Sequence, residues 1–452
     1  MKTLTFLFLI LLSLFQTSFG WSQRIQWDGG VEALGIVSSE GNTPYWFSTN
    51  SETTLGNFSN ASFLGEVGAS YALSENASIN GRLSFFYRDD VANEFQRKES
   101  YLRFTNTWLK ASAGAFSTID PSETLSVSNK NFLFSGNARP MPGVLLEANN
   151  PLKISNTFAL DWGIGHYFMN DENRFVSDVW VHYKRLAVLV QLSNNHRLKA
   201  QLQHYAQWGG TSPVYGNLND DFTAFIDVFT AREASEINVE GEITNAVGNH
   251  LGSYLVDYYW TASFGTLNIY HEHPFEDGSG TRLANFPDGI WGVGFEPEST
   301  NIFSKILYEF IDTSDQSGNT SGAGFDGYFG NNIYRTGWTY EGNVIGFPLM
   351  VTNPNLIVTD INSPIIGNRV QAHHFGVEGT VKKWQWQVKS TYTKNLGTYR
   401  NPFPTPLKAW YNYLTIVYPT QNFGSFRFLG GLDINNLSKD VFGLGLGYHY
   451  SF

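Results

Sequence analysis

The chain has 452 residues and no cysteine; only 15% of it is charged, against roughly 25% in soluble domains, while 16% is aromatic. The missing cysteines exclude disulfide scaffolds, thiol catalysis, cysteine-based metal sites and a lipidated cysteine anchor. So aromatic a chain is not disordered, and its net charge of −11 excludes the basic face that a nucleic-acid partner needs.

Residues 1–20 read as a secretory signal peptide: Lys2, an apolar run from Leu4 to Phe15, then Ser18-Phe19-Gly20 at the cleavage site. That run is shorter than the about 20 residues a spanning helix requires, and no later stretch reaches that length. Residues 21–60, rich in Gly, Ser, Asn and Thr and broken by Pro44, show no helical period and read as an irregular periplasmic segment. From residue 61 to 452 the dominant signal has period two. Ile79, Leu83, Phe85 and Tyr87 oppose Asn80, Arg82 and Ser84; Leu198, Ala200 and Leu202 oppose Lys199, Gln201 and Gln203. Tyr254, Val256, Tyr258, Trp260 and Phe264 oppose Asp257, Tyr259, Thr261 and Ser263; Trp384, Trp386, Val388 and Tyr392 oppose Gln385, Gln387, Lys389, Thr391 and Thr393. A dry core would not tolerate those polar faces unpaired; a polar or water-filled lumen with lipid on the other side would.

The last strand is the clearest. Phe442, Leu444, Leu446, Tyr448, Tyr450 and Phe452 alternate with Gly443, Gly445, Gly447, His449 and Ser451. Its length fits a tilted membrane strand of about 9–11 residues. Further strands are expected near 62–72, 100–117, 158–168, 177–193, 265–273, 289–295, 302–311, 332–340, 369–379, 410–418 and 424–433. The expected fold is all-β, a transmembrane antiparallel β-barrel of about 16–18 strands, even-numbered as in bacterial barrels, in contact with outer-membrane lipid. Insertions at roughly 118–157, 207–253, 274–288, 312–331 and 341–368 exceed the about 12–15 residues of ordinary loops; with their Trp, Tyr and Phe they are expected to fold into the lumen or outward. One carries a capped helix: Phe222, Phe225, Ile226 and Phe229 recur at helical spacing after Asn219-Asp220-Asp221. Its apolar stripe is expected to pack on the barrel or plug.

The segment from 204 to 348 resembles the capsule-assembly Wzi family, outer-membrane barrels that act as lectins for surface polysaccharide. The resemblance rests on His204-Tyr-Ala-Gln-Trp-Gly-Gly210, Gly248-Asn-His-Leu-Gly252, Tyr270-His-Glu-His-Pro-Phe-Glu-Asp-Gly-Ser-Gly280 and Asp288-Gly-Ile-Trp-Gly292. It continues through Tyr308-Glu-Phe-Ile-Asp-Thr313, Gln316-Ser-Gly318 and Asn331 to Tyr340, and Thr43 to Asn50 is similar to the start of Bacteroidetes-type members. It implies the outer membrane of a Gram-negative bacterium, a capsular polysaccharide or exopolysaccharide as partner, tethering in place of chemistry, and no cofactor. The terminal Phe452 is also what such barrels present to the barrel assembly machinery. Enteric members carry a periplasmic helical bundle near the N-terminus; residues 21–60 lack that pattern.

The candidate polysaccharide-binding residues are Trp208, Asn249, His250, Glu276, Asp277, Asn285, Asp288, Trp291, Gln316, Tyr328, Asn331, Trp338 and Tyr340, aromatic faces beside amides and carboxylates that suit sugar rings and hydroxyls. For the aromatics the competing reading is a membrane girdle. His271 and His273 would share a strand face but lack the helical H-E-x-x-H spacing of zinc hydrolases, and His373 and His374 point to opposite faces. Ser279 does not sit in a G-x-S-x-G elbow. The adjacent acids Glu276/Asp277 and Asp220/Asp221 do not suit the separations of about 5–5.5 or 6.5–9.5 Å that glycosidases use. A diffusion channel is the alternative to the lectin reading, and a barrel hydrolase ranks below both.

Overall fold

The computed structural model describes residues 25–231, 247–276, 278–299, 302–318, 327–353 and 355–452. The expected signal peptide and Asp277 lie outside these, as does the side chain of Ser279. Eighteen long strands follow the chain: β1 Ile25–Ser38, β2 Ala61–Ser74, β3 Ala77–Arg88, β4 Phe95–Asn106, β5 Leu109–Ala115, β6 Pro142–Ala148, β7 Phe158–Met169, β8 Val179–Ser193 and β9 His196–Trp208. They continue as β10 Asn249–Ala262, β11 Gly265–Phe275, β12 Gly289–Pro297, β13 Phe303–Asp312, β14 Val370–Val381, β15 Trp384–Gly397, β16 Pro402–Pro419, β17 Ser425–Asn435 and β18 Val441–Ser451. Each pairs antiparallel with its neighbours, and β18 returns to β1 in the register Ala33↔Tyr448 and Gly35↔Leu446. The sheet therefore closes into a barrel with no free edge, which is what lipid demands of a strand-built span.

Closure depends on β1, so the expectation of an irregular segment over 21–60 fails for Ile25–Ser38. Its glycines and short polar residues hid the alternation: Trp27, Val31 and Val37 face out while Leu34 and Ile36 are buried. Two other expectations need correction. The stretch 100–117 is a hairpin, turning at 107–108 between β4 and β5. Residues 332–340 form no wall strand. Tyr334, Trp338 and Tyr340 are all buried there, so the stretch is apolar without the one-sided exposure a wall strand needs. Conversely, β6 was hidden inside the expected insertion at 118–157.

The outer wall is apolar as read. Ile79, Leu83 and Phe85 on β3, Leu202 on β9, Val256 on β10, Trp384 and Tyr392 on β15, and Phe442, Leu444, Leu446 and Tyr450 on β18 are all exposed. One end of the barrel carries both termini of the wall and connections as short as 75–76, 107–108, 194–195, 263–264 and 382–383. The other end carries the long ones, and short turns lie in the periplasm in barrels of this type.

Long connections from the loop end fill the lumen. Residues 116–141 descend through it, and residues 327–350 pack on them in one apolar cluster that includes Phe132, Leu133, Tyr328, Phe329, Trp338, Tyr340 and Phe347. A short helix, α1 (Tyr45–Ser48), closes the remaining side. A second helix, α2 (Phe222–Thr230), follows an Asp221 side chain that accepts from the Ala224 amide at 2.8 Å, the expected cap.

Candidate functional site

The plug is held by carboxylates that the strands turn inward. Glu309 on β13 is fully buried and accepts from Ser126 Oγ at 2.7 Å, the Val127 amide at 2.8 Å and the Tyr270 hydroxyl. Glu272 on β11 accepts from the Phe132 amide at 3.0 Å, Ser253 Oγ at 2.8 Å and Gln203 Nε2 at 3.2 Å. Each acid thus satisfies backbone of a loop that forms no ladder of its own, the requirement for burying irregular chain. Deeper still, Lys130 meets Asp257 at 2.7 Å, with Tyr259 and Asn268 at 3.1 Å, so the ammonium is fully partnered.

The predicted binding residues are brought together, but as the internal frame of this plug. Asn285 donates to Tyr328 Oη at 2.6 Å, Tyr328 donates to Asp288 at 2.9 Å, and Asp288 accepts the amides of Asp315 and Gln316 at 3.0 and 2.8 Å. Gln316 Nε2 reaches Thr313 O and Asn368 O. Burial raises Asp288 to about 7, outweighing those three donors. Asn331 donates to Asn249 at 3.2 Å and Asn249 to Gln207 at 2.9 Å. Glu276 accepts the Phe329 amide. Trp338 donates to Leu133 O at 3.2 Å and Tyr340 to Asn170 at 2.7 Å, both rings being wholly buried.

The other three lie on the outer wall. Trp291 stacks on His271, centroids 3.7 Å apart, and is partly exposed beside Phe286, a girdle position. Trp208 and His250 lie beneath α2; His204 Nε2–H donates to His250 Nδ1 at 2.8 Å, since His250 Nε2–H donates to Val247 O. His271 and His273 share the outer face as expected, and each donates from Nδ1 to a backbone carbonyl, of Ile290 and Asp288. His373 and His374 point to opposite faces, the first to Tyr308 and the second to Thr391 inside.

A polar surface remains where the plug meets the loop end, built largely from residues outside the candidate set. The Arg369 guanidinium stacks 3.9 Å above Tyr399, whose hydroxyl donates to Ser314 O and Asp315 O. Arg400 is exposed and reaches Asn332, itself exposed, at 3.5 Å; Arg335 follows three residues later, half-buried. The Thr398-Tyr-Arg-Asn401 turn carried the signal, an aromatic and a guanidinium side by side between two strands.

No family model matches this sequence, and no curated protein matches it by sequence. Among solved structures it is similar to Wzi of Escherichia coli, an outer-membrane protein involved in group 1 capsule assembly and a carbohydrate-binding β-barrel. The identity is 16%, the match covers 95% of this chain and 85% of the other, and the TM-score is 0.59. The chain folds as an outer-membrane-type β-barrel. OccAB2 of Acinetobacter baumannii gives a TM-score of 0.50 at 10% identity, with 95% and 98% coverage. At such identities the shared property of this outer-membrane barrel and its neighbours is the fold.

Proposed function

We propose that this outer-membrane barrel is a non-enzymatic lectin that holds capsular polysaccharide or exopolysaccharide at the cell surface. The observation that carries the reading is the filled lumen. A wall wide enough to conduct is occupied by an ordered apolar plug anchored through Glu272 and Glu309, which favours a presenting surface over a diffusion path. The likeness in fold to a carbohydrate-binding barrel supports the same reading.

The wholly buried rings of Tyr328, Trp338 and Tyr340 cannot stack on a sugar without dismantling the plug, so their part in binding is to hold the surface above them. The groups that meet glycan are Asn332, Arg335, Arg369, Tyr399 and Arg400. A phenol face covers the apolar side of a pyranose, while amide and guanidinium bridge its hydroxyls. Deleting the gene should leave polymer synthesis intact and release polymer into the medium; unchanged retention on cells would refute the reading. Binding of purified protein to the cell's own polymer should fall about tenfold or more in Tyr399→Ala/Arg400→Ala, as expected for losing a charged hydrogen bond of roughly 1.5–3 kcal/mol.

A further inference from the structure

One element serves neither the plug nor the polar surface. The helix α2 lies outside the barrel, against the lipid-facing side of β7 to β10 near their loop-side ends. Its period divides it into three faces. Ala224 and Val228 are buried against Ala206 and Trp208 of the wall, and the Phe225 ring lies 5.8 Å from Trp208 and 5.5 Å from His182. Phe222 and Ile226 point away from the protein and are exposed, Phe222 by 77%, while Phe229 flanks them, part-exposed with its ring 5.2 Å from that of His182. Thr223, Asp227 and Thr230 form a polar strip beside them. Both ends are fixed, by the Asp221 cap and by Lys184, which donates from the wall to Phe229 O and lies 4.8 Å from the Phe229 ring centroid. A cation at a helix C-terminus is favourably placed.

The helix also covers what the wall could not show to lipid. His166, His182, His204 and His250 all point outward here, with Lys184 on the same face. Among the described residues the buried His182 Nε2 and His204 Nδ1 have no hydrogen-bond partner, and bare polar groups facing hydrocarbon are costly.

We propose that α2 is an interfacial helix seated in the outer leaflet of the membrane. Phe222, Ile226 and Phe229 enter the boundary between acyl chains and headgroups, and Thr223, Asp227 and Thr230 turn toward the headgroups. The occupant of the apolar face is lipid because that face continues the lipid-facing wall, where Trp180 of β8 and Trp291 of β12 are exposed near the same end.

The absence of cysteine makes the test direct. The full chain carrying Ile226→Cys, labelled with an environment-sensitive fluorophore, is reconstituted into phosphatidylcholine vesicles and titrated with iodide or with shallow doxyl-labelled lipid. The expected result is loss of most emission to the doxyl lipid and little to iodide, with Thr223→Cys showing the stronger iodide response. Quenching by iodide alone would overturn the proposal, since the helix would then stand in water. Quenching by neither, with cross-linked dimers, would overturn it in favour of a second copy. Phe222→Cys on the same face provides the reading if Ile226→Cys fails to fold.

Discussion

Asp288 shows how a residue chosen for its chemistry can serve structure. Its carboxyl accepts from Asp315, Gln316 and Tyr328, yet burial dominates and lifts it to about 7. The neutral form is therefore favoured in the folded state relative to the unfolded chain. A raised folded value means that the stability it contributes is complete below pH 4 and is lost as pH rises toward 7. The shift corresponds to on the order of 4 kcal/mol. The midpoint of plug opening, read as protease sensitivity of the 313–318 and 327–350 segments against denaturant, should fall between pH 4 and pH 7. Asp288→Asn should flatten that dependence; a wild-type profile in the variant would show that another group titrates. The sequence offers Asp288, Gln316 and Tyr328 as loop residues whose carboxylate, amide and aromatic face suit a sugar. It could not mark them as buried, since the bonds that join them cross 27–40 residues and follow no period.

At the scale of elements, most of the wall was legible and the internal packing of the plug was not. Period two survives along each span because one face meets lipid, so β3, β9, β10, β15 and β18 could be read from side-chain alternation alone. The plug has no repeat: its amides are satisfied by Glu309 and Glu272, roughly 140–180 residues away in sequence, as the pairs Glu309–Val127 and Glu272–Phe132 require. The glycines inside β18 join the two. They read only as a small inner face, and the structure gives the reason for one of them. A Cβ at Gly443 would stand 2.6 Å from Pro44, which with Phe47 also lies against Gly431, so the last strands are hollowed where α1 docks. Trp46 of α1 completes the seat by donating to Thr391 and lying beneath the Lys389 ammonium, 4.6 Å from its ring centroid. Gly443→Leu should therefore lift α1 without opening the wall. The expected cost is about 1–3 kcal/mol, the usual scale for overpacking, with faster proteolysis within 43–60 while the folded barrel keeps its migration on unboiled gels.

The whole molecule divides along the lumen. Nearer the turns, inward charges pair with one another: Arg82 with Asp28 and Glu66, Lys110 with Glu147, Arg185 with Asp161, and Arg427 with Glu32. Nearer the loops, the apolar plug takes over, with Phe132 stacked on Phe347 at 5.1 Å and Tyr205 against Trp338 at 5.8 Å. The polar half is suited to water and the apolar half excludes it, so ions that enter from the turn end meet a closed upper lumen. In a planar bilayer the wild-type protein should give no steady openings. Removing both anchors in Glu272→Ala/Glu309→Ala strands the Phe132 and Val127 amides, the Ser126 and Ser253 hydroxyls and the Tyr270 hydroxyl, each at a cost of roughly 1–3 kcal/mol. That sum is enough to loosen the plug while the wall, which depends on its ladder, stays closed. The double variant should show flickering conductance and bind polymer less well, because the surface formed by Asn332, Tyr399 and Arg400 rests on what the anchors hold. Large, steady openings in the wild type would instead mean that the plug is displaced in the membrane, and would return the barrel to the diffusion-channel reading.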